Sequence, residues 1–310
     1  MRRPAKAATV ARAPRTALRH GTGEIPPGGP WLYATLYSSA ERQDELLTGP
    51  LRRFLTELPS SSDTPGGVDR WFFIRYADPH PHLRLRLHGD PDLLNGLLLP
   101  RLHGLAGELA GAGLARGLRI DSYSPETERY GGAALLDAAE KVFPADSLLV
   151  LERLAAPADD RVLSAAQDVA RLVRSFHDGY GGDWRHWLTA TYPKREQHHK
   201  AFAARRGAAL ARITPDGVPD TSNASEAADA TGAMDAMGDS YWAAPRRFRR
   251  LVREEEERGT LSVAPDAVLA SLVHMHCNRR LGTDRTAEAQ ALAVARGAVQ
   301  AHLDREMARS

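Results

Sequence analysis

The segment His82-Leu-Arg-Leu-Arg-Leu-His88 alternates without a break between leucine and a basic or imidazole side chain. In an extended chain, successive side chains leave opposite faces. Leu83, Leu85 and Leu87 therefore point one way, and His82, Arg84, Arg86 and His88 the other. The preceding Trp71-Phe-Phe-Ile-Arg-Tyr76 reads as a second strand, and Ala77-Asp-Pro-His-Pro81 as the hairpin connection between them. The leucine face requires a core to cover it. The basic face allows two readings: a solvated surface on a half-exposed antiparallel sheet, or a built anion site. In the second reading Arg84 and Arg86 stand about 7 Å apart on one face and suit one carboxylate or two anionic groups.

The rest of the chain places this hairpin in an α+β fold, with an antiparallel sheet in the N-terminal third packed with a helix-rich remainder. Trp31-Leu-Tyr-Ala-Thr-Leu-Tyr37 and Gly117-Leu-Arg-Ile-Asp-Ser-Tyr123 supply two more strands. Apolar spacing predicts helices over 41–58 (with a kink or restart at Pro50), 92–111, 133–142, 145–155, 161–177, 183–190, 194–212, 240–258, 265–279 and 286–308. Residues 1–29 form a basic arm, with six Lys or Arg against Glu24 alone, and residues 30–310 form one domain. Within that domain, residues 214–239 read as a polar insertion. At 310 residues, with 43% hydrophobic and 26% charged side chains, the composition excludes collagen-like, coiled-coil and wholly disordered classes. No stretch approaches the roughly 20 apolar residues of a membrane span. The single Cys277 and the want of an apolar signal segment lead to the expectation of a cytoplasmic protein.

Two further clusters carry candidate chemistry. In Ser124-Pro-Glu-Thr-Glu-Arg-Tyr-Gly-Gly132, Ser124 and Pro125 suit the start of a helical turn and the glycines its end. Glu126 and Arg129 then share a face, as a surface ion pair or as a rigidly held carboxylate and guanidinium. In Ser271-Leu-Val-His-Met-His-Cys-Asn-Arg279, the residues Ser271, His274 and Asn278 fall along one helix face, so His274 is either a packed histidine or an acid–base group. His274 and His276 lie roughly 200° apart around a helix and make no local metal pair. Gly179-Tyr-Gly-Gly182 lacks the context of a phosphate loop, and only the basic arm hints at nucleic acid.

Taken in order, the 31–37 strand, Phe73-Ile-Arg-Tyr-Ala-Asp-Pro with His82-Leu-Arg-Leu-Arg86, Glu126-x-x-Arg-Tyr-Gly-Gly132 and His274-Met-x-x-Asn-Arg279 resemble the C-terminal, glutamate-eliminating domain of lantibiotic dehydratases. That domain also occurs as stand-alone thiopeptide-biosynthesis proteins. The resemblance runs from about residue 31 to 308. It implies a lyase reaction on a ribosomally made precursor peptide. A Ser or Thr esterified with glutamate taken from glutamyl-tRNA loses its α-proton and expels glutamate, leaving dehydroalanine or dehydrobutyrine. By position the family's elimination residues fall on Arg84, Arg86, Glu126, Arg129 and His274. The implied partners are the precursor peptide and a separate glutamylating protein, with no cofactor, metal, membrane or direct nucleic acid, and with a homo-oligomer left open. Two alternatives stand beside elimination. One is a pyridine synthase of the same fold family, which joins two dehydroalanines in a formal [4+2] cycloaddition with release of the leader peptide. The other is a non-catalytic partner that presents the precursor.

Overall fold

The computed structural model describes residues 23–309 other than 63, 65, 158, 179–181, 193–195 and 215–227. Four strands, β1 (Trp31–Tyr37), β2 (Arg70–Tyr76), β3 (His82–His88) and β4 (Gly117–Asp121), form one antiparallel sheet in the order β2-β3-β1-β4. Opposed residues share a face. On one face the cross-strand rows are Phe72, Arg86, Tyr33 and Asp121, then Ile74, Arg84, Thr35 and Arg119, then Tyr76, His82 and Tyr37.

The leucine face is covered as the alternation requires. Leu83, Leu85 and Leu87 are fully buried against the N-terminal helical layer, which supplies Leu46, Leu47, Phe54, Leu94, Leu98 and Leu102. That layer comprises α1 (Gln43–Leu46), α2 (Arg52–Thr56), α3 (Pro91–Leu93) and α4 (Leu99–Gly111). A π turn at Leu47–Leu51 joins α1 to α2 and contains Pro50, which has no N–H for a regular helical bond. The helix therefore widens at Pro50 and continues, where the sequence predicts a kink or restart.

The basic face corrects the solvated reading. It is largely covered too, chiefly by the second half of the chain: His82 and Arg86 are only 3% and 7% exposed, while Arg119 at its β4 edge stays exposed. The cover begins with α5 (Ala133–Glu140) and α6 (Val142–Ala155) and continues through α7 (Arg161–His177), α8 (Trp184–Thr191), α9 (Glu196–Arg212), α10 (Ala228–Glu257), α11 (Pro265–Leu281) and α12 (Arg285–Met307). Helix α7 is the hub, packing against α10, α11 and α12, while α12 also packs on α9. Asp160, Asp183 and Asp284 cap α7, α8 and α12 by accepting from backbone N–H groups of the first turn, which explains the sharp helix starts in the sequence pattern. The polar segment 214–239 is divided: residues 228–239 belong to α10, and 215–227 lie outside the described residues. Of the basic arm, residues 1–22 also lie outside them, and Ile25 pairs with Tyr123 in an antiparallel bridge, so order begins before residue 30. Among the described residues no helix is long and apolar enough to cross a membrane.

An unpaired strand edge exposes backbone donors and acceptors, and β2 lies at such an edge. Side chains satisfy it. The Phe73 N–H donates to Ser147 Oγ at 3.4 Å, and Arg279 Nε donates to the Phe73 carbonyl at 2.9 Å. Asn278 clamps Arg75 from both sides, accepting from its N–H and donating to its carbonyl, each at 2.9 Å. Behind this seam, His276 Nδ1 lies 2.6 Å from Asp146, which also accepts from Arg279 at 2.6 Å. Burial would lower the His276 pKa, but Asp146 and Asp168 outweigh it and hold it above the ordinary value. Burial would likewise raise Asp146, yet His276 and Arg279 hold it below the usual carboxylate range.

Candidate active site

Arg86 projects from β3 into a box of aromatic rings. Its guanidinium carbon lies 4.6 Å from the Tyr123 ring centroid, 5.0 Å from Tyr33 and 5.3 Å from Phe72. Cation–π attraction of about 2 kcal/mol for a desolvated contact offsets part of the cost of removing this charge from water. Its buried Nε has no hydrogen-bond partner among the described residues. The nearby Glu140 is already engaged, by the Tyr123 hydroxyl and by Arg70 at 3.3 Å. Burial, opposed by these partners and by Arg86, raises the Glu140 pKa. A buried guanidinium with an unused donor is a ready carboxylate receptor.

Arg84, one row along, lies over the Tyr76 ring at 3.4 Å, and its Nε donates to His82 Nε2 at 3.1 Å. Glu126 and Arg129 come within electrostatic reach of Tyr76 or Tyr130 beside this face. Glu126 precedes, and Arg129 lies within, a 3-10 turn, Thr127–Tyr130, which starts after Glu126 rather than at Ser124-Pro125 as the sequence suggests. Gly131 ends the turn at φ +97°, a conformation that favours glycine, and a Cβ there would also lie 2.7 Å from Leu135 Cδ1 and force that side chain to shift. Arg129 Nη1 donates to Glu126 at 2.5 Å. Burial works against its charge, but Glu126, followed by Tyr130 and Tyr76, holds the Arg129 pKa above its ordinary value.

Two tyrosines tie these groups together. Burial pushes the Tyr130 hydroxyl up to about 12, with Arg279, Glu126, Arg129 and Arg86 all within electrostatic reach of it. Tyr76 carries Arg84 on its ring and acts electrostatically on Arg129. Arg84, Arg86, Glu126 and Arg129 therefore border one region of the covered sheet face. Glu126 and Arg129 are exposed at its rim, with side-chain exposures of 42% and 39%, and Arg86 lies at its depth.

His274 stands apart. Its Nδ1 lies 2.7 Å from Glu288 on α12, and among the described residues no hydrogen bond or ion pair joins it to the other four candidates. It sits one helical turn before Asn278, on the same face of α11. The Asn278 clamp on Arg75 thus brings that face to the end of β2 that carries Tyr76. Among the described residues Ser271 bonds within its own helix, to the Ala267 carbonyl. Cys277 is buried, and burial raises its pKa well above the ordinary thiol value, which disfavours a nucleophilic thiolate. A cavity of about 490 Å³ between α9 and α12, lined by Tyr192, His199, Phe202, Arg206 and Arg296, holds none of the five candidates.

Sequence reasoning missed His82, Glu288, Tyr76, Tyr130 and Glu140 as parts of this arrangement. His82, Tyr76 and Tyr130 belong to the quoted motifs, so closer attention to the tyrosines beside the arginines could have found them. Nothing local marks Glu288 or Glu140, which reach their partners only through helix packing.

The chain matches the family described as Lantibiotic biosynthesis dehydratase C-term over residues 31–299. It is 25% identical to the subtilin biosynthesis protein SpaB of Bacillus subtilis over 279 residues, covering 89% of this chain and 26% of SpaB. The crystal structure of the tRNA-dependent lantibiotic dehydratase MibB from Microbispora sp. 107891 superposes with a TM-score of 0.77 at 28% identity, over 96% of this chain and 29% of MibB. The pyridine synthase TbtD from thiomuracin biosynthesis, at 16% identity and a TM-score of 0.58 over 88% of this chain and 98% of its own, shares the fold. The chain thus spans about a quarter of the length of SpaB and of MibB. The four ordered motifs, the covered four-stranded sheet and the match along nearly the whole domain lead to one conclusion: this chain belongs to the lantibiotic dehydratase C-terminal family.

Proposed function

We propose that this protein is the glutamate-eliminating component of a peptide dehydratase. Its substrate is a ribosomally synthesised precursor peptide whose Ser or Thr side chains are already esterified with glutamate by a separate, glutamyl-tRNA-dependent protein. A base removes the residue's α-proton, and the Cα–H electron pair becomes the Cα–Cβ double bond. The Cβ–O bond breaks, and its electron pair leaves with the glutamate carboxylate.

The observation that carries the reading is the buried, partly unsatisfied Arg86 with Arg84 beside it and Arg129 at the rim. The α-proton is weakly acidic and the leaving group is an anion, so both the developing enolate and the departing carboxylate call for fixed cationic donors. Arg84, Arg86 and Arg129 take the oxygens. Glu126 orients Arg129 and offers a carboxylate to the glutamyl ammonium. His274 is the acid–base group: with Nδ1 directed at Glu288, its Nε2 is left to exchange a proton. The test is to incubate the protein with glutamylated peptide and follow the mass loss of glutamate. Normal turnover by Arg86→Ala and His274→Ala would remove these residues from the reaction.

A second reading, formal [4+2] cycloaddition of two dehydroalanines, draws support from the superposition that spans 98% of TbtD. Offering a fully dehydrated, azole-bearing peptide separates the two. A macrocycle with released leader means cycloaddition, and an unchanged peptide favours elimination.

A further inference from the structure

We propose that His82 is a positioning residue of this site. As a neutral imidazole protonated on Nδ1, it holds Arg84 by its Nε so that only the two terminal Nη groups face the departing carboxylate. This inference rests on the elimination reading for its kinetic consequence, and on geometry alone for the state of the imidazole.

The hydrogen-bond pattern assigns the tautomer. His82 Nδ1 lies 2.7 Å from the His80 carbonyl, and a carbonyl only accepts, so Nδ1 carries the hydrogen. Arg84 Nε only donates, and at 3.1 Å from His82 Nε2 it requires a lone pair there. Both ring nitrogens are thereby committed. A doubly protonated imidazole would set one N–H against another and displace Arg84. The ring itself is fixed, being 3% exposed, stacked on Tyr76 at 5.5 Å with an 18° tilt, and bounded by Tyr37 at 5.5 Å on β1. Arg84 is therefore held twice, in plane by His82 and from its face by the same Tyr76 ring that stacks on His82. With Nε occupied, the guanidinium can meet a carboxylate only through its Nη pair, which fixes the direction of a bidentate contact.

The charged and titratable groups around His82 are Arg84 on β3, Tyr37 on β1, Tyr76 on β2, Asp121 on β4, and Asp78 with His80 in the connection. Burial and the Arg84 cation press the His82 pKa below the ordinary histidine value, against the pull of the His80 carbonyl, Asp121 and Asp78. This direction agrees with the neutral imidazole that the hydrogen-bond pattern assigns.

The experiment compares wild type, His82→Phe, His82→Gln, Arg84→Ala and the double variant His82→Phe/Arg84→Ala on glutamylated peptide between pH 5 and 9. Arg84→Ala is expected to lose about 10²-fold in kcat/KM, as for removal of one transition-state donor. His82→Phe keeps an aromatic ring in the stack but not the acceptor, and should lose about 10-fold or more through misplacement of the guanidinium. Added to Arg84→Ala, His82→Phe should cost nothing further. His82→Gln, whose Oε1 accepts, should recover most of the rate and lose whatever part of an acid-side decline protonation of His82 causes. An independent loss in the double variant, or a glutamine variant no better than phenylalanine, overturns the proposal. Nitrogen-15 spectra of the histidine-labelled full chain give a reading independent of turnover. An Nδ1–H tautomer for His82, perturbed in Arg84→Ala, supports the assignment, and an Nε2–H tautomer overturns it. A wild-type protein that eliminates nothing refutes the functional reading, while the spectra still decide the imidazole's state.

Discussion

Replacing Asn278 by alanine removes both hydrogen bonds that clamp Arg75 on the outer edge of β2. Arg75 is only 4% exposed, so water cannot easily replace them. A buried backbone group left without a partner costs about 1–3 kcal/mol, so two at this edge give roughly 2–6 kcal/mol of lost stability. For a chain of this size that corresponds to a fall in Tm of about 2 °C per kcal/mol, or roughly 4–12 °C in all. Asn278→Leu has similar volume and no polar atoms, which separates the clamp from simple packing. Both variants should lower the midpoint in thermal unfolding, and amide exchange at Arg75 should accelerate in both. Because α11 also carries His274, elimination should slow further than unfolding alone explains. A midpoint within 1 °C of wild type, or full rescue by leucine, would refute the clamp argument.

Arg86→Lys should reduce kcat/KM on glutamylated peptide by about 10²-fold, because an ammonium cannot present a planar fork within the same rings; circular dichroism should show the fold retained. Glu288→Ala should slow elimination by up to about 10²-fold, the scale of an acid–base group left unoriented, and alter its pH profile, while Arg129→Ala leaves the profile's shape unchanged. The raised pKa of His276 makes stability depend on pH in one direction. Its contribution is complete below the unfolded value of about 6.5 and is lost as pH rises through the higher folded value, so urea midpoints should fall on the alkaline side. His276→Gln should flatten that decline. Asp146, held low, contributes at higher pH and loses its share only as pH falls through its depressed value.

Much of this architecture is legible locally. β1 and β3 follow the sequence pattern end to end, as does α7, because strict alternation and an Asp-capped apolar stripe leave few choices. Pro50 and Gly131 mark their bends for the same local reason. What could not be read is what covers the basic face. Alternation says that Arg84 and Arg86 share a side; only the packing of distant helices decides that the side is closed. The Asn278 and Arg279 of the third motif are similarly opaque in sequence. They look like companions of His274, yet in the fold they close a strand edge some two hundred residues away. His274 itself finds Glu288 across a helix junction, a pairing that no spacing rule foresees.

The aromatic walls around Arg86 have a consequence for how solution ions act on this molecule. Mobile counter-ions screen charges over about 8–10 Å of water at moderate ionic strength, but they do not enter a ring-lined interior. Added salt should therefore weaken the grip of the exposed Arg129 and Glu126 on an arriving peptide while leaving the field at Arg86 nearly intact. In kinetic terms, rising salt would raise KM and spare kcat, so capture of the peptide and expulsion of glutamate would respond separately to the medium.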